Sequence, residues 1–176
     1  MSHYPLQAQS VTLRYSPLDD RILLSFHNPS RRRVDAWITR RFLLQLLPQL
    51  SKWVENQVSP KSATEPLQGK DRLQFDYEIS QLKIPHQPNH PAESLTPERV
   101  FVVAGMRISA HNQKIKLLIT DRTTTELILL NVSRAELHKI MGQILQLANK
   151  ANWRINNPFV AENREAERTP GPRALH

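Results

Sequence analysis

The residues best suited to binding chemistry in this chain are two arginines that open a predicted helix. Arg40 and Arg41 follow Thr39, a residue type that often caps a helix N-terminus. This end of a helix favours anions and disfavours cations by roughly 0.3–1 kcal/mol each, so the arginines are electrostatically out of place. Free helical amides together with guanidinium groups bind anions well. We therefore expect an anion site at Arg40 and Arg41, with a local salt bridge or simple exposure as the alternative.

A second set of basic residues shares one face of the sheet predicted just before this helix. Strand alternation places Arg14, Arg21, Arg33 and Trp37 on the face that points away from the helix. On such a face arginines can follow the phosphates of a single-stranded nucleic acid, while an aromatic ring stacks on a base for roughly 1–3 kcal/mol. The net charge of +8 favours anionic partners. The competing interpretation is a solvated arginine face, with Trp37 in a lateral contact.

The equivalent face of the second predicted sheet is apolar at its centre. Alternation places Leu118, Leu127 and Leu129 there, facing away from the second helix. An exposed apolar patch of this kind marks a surface that something else covers. We expect these leucines to bind a protein partner, a second copy of the chain or the other half of this one.

No motif in the chain indicates catalytic or cofactor chemistry. The absence of Cys excludes disulfides, thiolate metal sites and a cysteine nucleophile. Four glycines leave little room for a phosphate-binding loop. His86 and His90 are four residues apart, but they lie in a Pro-rich segment with no third ligand nearby. We expect no catalytic residues, no cofactor and no metal, and therefore no enzyme.

The elements that position these residues follow a hydrophobic pattern that occurs twice. Residues 11–50 and 106–144 each contain three alternating strands with turns between them, followed by an apolar face at helical spacing. The predicted fold class is α+β, with two βββα units (an antiparallel meander followed by a helix) packed as a pseudo-symmetric single domain. Chance similarity between two ordinary βββα units is the competing explanation.

Four parts are predicted along the chain: a first βββα unit at residues 1–58, a Pro-rich insertion with one short element at 59–99, a second βββα unit at 100–153, and a disordered tail at 154–176. Residues 72–84 fit a helix or a strand, and the Gln, Glu and Lys between their apolar positions favour the helix. No apolar run approaches the ~20 residues that span a bilayer. No signal-peptide pattern opens the chain, so we expect a cytoplasmic protein without membrane insertion.

Two functions fit these features. The first is a non-catalytic adaptor or assembly protein that binds a protein partner, or self-associates, through the apolar sheet face. The second is a basic protein that binds single-stranded DNA or RNA through the Arg/Trp face of the first sheet. Because exposed apolar strand positions need a covering partner more than scattered arginines need a ligand, the sequence favours the adaptor.

Overall fold

The computed structural model describes residues 5–58, 74, 77–79, 96–112 and 114–159. Within these residues the long elements run in the order β1 (Leu6–Ala8), β2 (Ser10–Ser16), β3 (Arg21–His27), β4 (Arg33–Ile38), α1 (Arg40–Val58), β5 (Arg99–Val102), β6 (Gly105–His111), β7 (Lys114–Thr120), β8 (Glu126–Val132) and α2 (Arg134–Lys150). The strands form two four-stranded sheets. The predicted α+β class is therefore confirmed.

Both predicted meanders and the helices that follow them are present. Strands β2, β3 and β4 pair antiparallel in order, as do β6, β7 and β8. The Thr39 hydroxyl accepts a hydrogen bond from the Phe42 amide at the start of α1, and Ser133 with Glu136 forms a capping box at the start of α2. Helix α1 continues through Pro48, although a proline in a helix interior removes a backbone hydrogen bond and often kinks or breaks the helix.

Each sheet is completed by a strand that precedes the other meander. Strand β1 pairs parallel with β8, and β5 pairs parallel with β4. We call β1 and β5, which precede the first and the second meander, the leading strands. The sheets have the equivalent orders β1-β8-β7-β6 and β5-β4-β3-β2, so each meander pairs with the leading strand of the other unit. The sequence pattern did not predict this exchange. Strand β1 has only three residues, and β5 is separated from β6 by only Val103 and Ala104, so neither strand gives a distinct sequence signal.

One continuous hydrophobic core joins the two units. It contains the inward residues of both sheets, the apolar faces of α1 and α2, and Leu6 and Ala8 of β1. Helix α2 packs against β2 and β3 of the first sheet as well as β7 and β8 of the second. A shared core of this kind agrees with the prediction of a single domain, whereas the predicted pseudo-symmetry stays a prediction.

The predicted tail and insertion differ in how far the structure describes them. Residues 154–159, assigned to a disordered tail, are packed, because Ile155 and Phe159 are buried in the core. Gln74 and Tyr77–Ile79 are helical, in line with the helix favoured for 72–84. His86 and His90 lie outside the described residues. Among the helices that are described, none combines the length and the apolar character that a bilayer crossing requires.

Candidate functional site

A row of side chains crosses the outer face of the first sheet, the face turned away from the core. The register places Arg14 of β2 opposite Leu23 of β3, Leu23 opposite Trp37 of β4, and Trp37 opposite Val102 of β5. Arg14 is exposed, Trp37 and Val102 are half-buried, and Leu23 is buried. Neighbouring strands lie about 4.8 Å apart, so the backbones at Arg14 and Trp37 are separated by roughly 10 Å.

Three more arginines lie at the same end of this sheet. Arg21 pairs with Ser16 in the last register position before the β2–β3 turn. Because Ile22 pairs with Ile38, the start of α1 with Arg40 and Arg41 continues past that end. Arg40 lies close enough to Asp20 of the turn for its charge to help lower the pKa of that carboxyl group. Arg14, Arg21, Arg40 and Arg41 are called the arginine cluster below.

Several arginines elsewhere in the fold carry an acidic partner, whereas the arginine cluster, like Arg31 and Arg122, forms no ion pair among the described residues. Four ion pairs neutralise arginines elsewhere, at 2.7–3.1 Å: Arg32–Glu98, Arg33–Asp35, Arg99–Asp121 and Arg107–Glu126. Within the described part of the chain, no ion pair or hydrogen bond involves a side chain of the arginine cluster. Arg40 and Arg41 are exposed, and Arg21 is half-buried. The predicted anion-binding residues are thus brought together, with one exception.

Arg33 is that exception. Its guanidinium group makes two hydrogen bonds to the Asp35 carboxylate (2.7 and 2.8 Å) and a third to Ser25 Oγ (3.1 Å). The side chain is only 13% exposed. Asp35 lies two residues away on the same strand, so both side chains are on one face, where they form a bidentate pair. The expectation that Arg33 offers a free charge on this surface is therefore wrong.

The far half of the same face is closed. Ser25, His27 and Asp35 are all buried, although strand alternation places them beside Arg33 on the outer side. Burial, assisted by the charge of Arg33, lowers the pKa of His27, which favours its neutral form. Among the described residues, the exposed and half-buried side chains Arg14, Arg21 and Trp37 thus lie in the half of the face nearest the β2–β3 turn, with Leu23 buried between them.

An acidic residue in the β2–β3 turn ties this end of the sheet to the chain beyond α2. The Asp20 carboxylate accepts hydrogen bonds from Trp153 Nε1 (2.6 Å) and from the Tyr15 hydroxyl (2.9 Å). These donors lower the pKa of Asp20, and the carboxylate raises the pKa of Tyr15. We call these three residues the Asp20 network. Sequence reasoning missed it, because no local pattern links residues 133 positions apart.

The predicted apolar patch on the second sheet is smaller than expected. Leu127 is 7% exposed and belongs to the core. An irregularity in the β7–β8 register pairs Thr120 with Glu126 and Ile119 with Ile128, so Leu127 has no partner and leaves the simple alternation. Leu118 and Leu129 do face each other across the strands, but both are half-buried, with Arg107 beside Leu118 in the same row.

The protein defined by this fold and site is an α+β domain of two strand-exchanged sheets with a cationic, aromatic surface at one end. No family model matches the chain, and no curated protein or solved structure shows significant similarity to it. Among the residues that the structure describes, no group of three or more His, Cys, Asp or Glu side chains is arranged to hold a metal ion.

Proposed function

We propose that this protein binds single-stranded nucleic acid, with the arginine cluster on the phosphates and Trp37 stacked on a base. The observation that carries the proposal is a set of four arginines that form no ion pair among the described residues, at the end of a sheet whose outer face carries a half-buried tryptophan. A positive groove with an aromatic platform is the usual design for binding single strands without sequence preference. In this proposal the protein acts in the cytoplasm and has neither a catalytic step nor a cofactor.

The arrangement sets the expected strength of the electrostatic contribution. For single strands the slope of log K against log salt is about −0.7 per phosphate neutralised, so four arginines give about −2.8. Raising the salt from 50 to 200 mM should then weaken binding roughly 50-fold. Stacking on Trp37 adds roughly 1–3 kcal/mol that depends little on salt.

Fluorescence anisotropy with a labelled single-stranded oligonucleotide tests the proposal. Replacing Arg40 and Arg41 by alanine should halve the salt slope to about −1.4. The matched control, Lys114→Ala with Arg122→Ala, removes the same charge from exposed positions in β7 and in the β7–β8 turn and should leave the slope within error of the wild type. Equal slopes for the two double variants would refute the site, because the loss would then follow net charge alone.

Variants of Trp37 test the stacking contribution independently of the salt slope. Trp37→Ala should weaken binding roughly 5- to 150-fold at fixed salt, with no change in slope. Because Trp37 is half-buried, the folding of this variant must be checked by circular dichroism. Trp37→Phe keeps an aromatic face and should retain most of the affinity. An oligonucleotide affinity that is equal for the wild type and Trp37→Ala would exclude stacking.

Binding to a protein partner, as an adaptor or assembly subunit, is the second candidate. The observation in its favour is Val100, which is 52% exposed on β5 at the edge of the first sheet. Leu118 and Leu129 of the second sheet contribute a smaller apolar contact. The adaptor ranks lower here because the burial of Leu127 removes much of the apolar surface that favoured it. A light-scattering mass of two or more 20.4 kDa chains, lost on Leu118→Ser with Leu129→Ser, would reverse the ranking.

A further inference from the structure

The turn between β2 and β3 holds a leucine almost entirely in solvent. Leu18 is 95% exposed, and Pro17 beside it is also exposed. Single leucines on a surface are common, but this turn is fixed on both sides. Ser16 Oγ donates a hydrogen bond to Asp19 Oδ2 (2.6 Å), and the Asp20 network anchors the other side. Leu18 therefore stands in a defined position.

The position of this turn relates it to the proposed binding surface. Leu23, which pairs with Trp37, is two residues from Arg21 along β3. Residues 17–20 form the loop beyond Arg21, and reaching its tip adds about two more residues. At about 3.3 Å per residue, these four residues place Leu18 roughly 13 Å from the Trp37 row. A stacked strand rises about 3.4 Å per nucleotide, so this distance corresponds to roughly four nucleotides.

The charges of the turn determine which part of a nucleic acid can approach it. Asp19 and Asp20 carry carboxylates beside the tip, and hydrogen bonding lowers the pKa of Asp20, which keeps that group ionised at neutral pH. These carboxylates repel phosphates. Arg21 and Arg40 attract phosphates only a few residues away. A strand held by the arginine cluster would therefore turn its bases, and not its backbone, toward Leu18.

We propose that Pro17 and Leu18 form a wedge that inserts between two bases of the bound strand and unstacks them. The inference rests on the proposed function and adds the mode of recognition. Leucine and proline are among the apolar residues that proteins insert between base steps. The preferred ligand is then a flexible single strand, because an open strand yields its stacking more readily than a paired duplex.

The test uses an eight-nucleotide DNA strand of adenines with one central 2-aminopurine, a base whose fluorescence increases when it unstacks. Binding of the wild type should increase this fluorescence. Leu18→Ala should abolish the increase and weaken binding by up to about 60-fold, since each of the three carbon atoms removed contributes a factor of about four when buried. The salt slope should not change. Leu18→Met keeps an apolar side chain of similar length and should behave like the wild type.

The outcomes separate this inference from the proposed function. A fluorescence increase that persists in Leu18→Ala would overturn the wedge while leaving nucleic-acid binding intact. A wild type that binds no oligonucleotide would overturn the proposed function, and the wedge with it. A light-scattering mass that falls from dimer to monomer in Leu18→Ala would overturn the wedge in favour of a contact between two copies of the chain.

Discussion

Leu6 provides the sharpest test of the strand exchange between the two units. It lies in β1, pairs with Ile128 of β8 and is 3% exposed in the shared core. Leu6→Ala removes three buried carbon atoms, which corresponds to about 2.4 kcal/mol of transfer free energy at 0.8 kcal/mol each. With the cavity that remains, the expected loss in the free energy of unfolding is about 3 kcal/mol.

Urea unfolding measures this loss. For a urea m-value of about 1.5–2 kcal/mol/M, a loss of 3 kcal/mol lowers the midpoint by about 1.5–2 M without changing the slope. Tryptophan fluorescence and far-UV circular dichroism should move together, because Leu6 belongs to a core that contains residues of both sheets. Gln7→Ala changes an exposed residue of the same strand and should shift the midpoint very little.

Two results would refute the reasoning. A midpoint shift below about 0.5 M would mean that β1 does not contribute to the core in solution. A transition that splits into two steps, with only one displaced by Leu6→Ala, would mean that the units unfold separately.

Three further changes test local features of the fold. A Cβ on Gly105 would approach Thr120 Oγ1 to 2.6 Å. Gly105→Ala should therefore lower the free energy of unfolding by about 1–3 kcal/mol. In a double-mutant cycle, adding Thr120→Ala should recover most of this loss. Thr124 has a φ of 60°, a strained conformation for a β-branched residue; Thr124→Gly should raise the thermal midpoint by relieving about 1 kcal/mol, and an unchanged or lower midpoint would contradict this. Trp153→Phe removes a donor to Asp20, whose pKa should then rise toward 3.8. Because the folded-state pKa of Asp20 is depressed, its stabilisation is present above the unfolded pKa and lost as the pH falls through the lower folded value. The stability difference between the wild type and Trp153→Phe should therefore shrink in acid, and urea midpoints that differ equally at pH 7 and pH 2.5 would contradict the role of this contact.

The parts of the fold that sequence reasoning predicted correctly are those with local, repeated signals. Alternation and turn residues located the two meanders, and Thr39 marked the start of α1 through a hydrogen bond within three residues. The exchange of β1 and β5 carried no such signal, because parallel pairing depends on residues about 60 or more positions away. The same limitation hid the hydrogen bond between Trp153 and Asp20.

The sequence predicted which residues share a face at the candidate site more accurately than it predicted how exposed their side chains are. Alternation correctly placed Trp37 and Arg14 on one face, because the register of β2, β3 and β4 is regular. It failed for Leu127, where one unpaired residue shifts the side-chain direction. Alternation placed Arg33 on the correct face, but the free charge expected there was wrong, since the sequence pattern does not show that Asp35 binds the guanidinium group and neutralises it.

The exchange of leading strands has a consequence for how the protein is made on the ribosome. Strand β4 ends at Ile38 and its neighbour β5 begins at Arg99, so 61 residues must be synthesised before that edge can be closed. At 5–20 residues per second this takes roughly 3–12 s, during which an unpaired edge is open to pairing with other nascent chains. The delay from Ala8 to the start of β8 at Glu126 is roughly twice as long at the same rate. Fast translation, or a chaperone bound to the emerging first half, should therefore increase the yield of native protein. The increase should be larger than for a fold in which each half completes its own sheet.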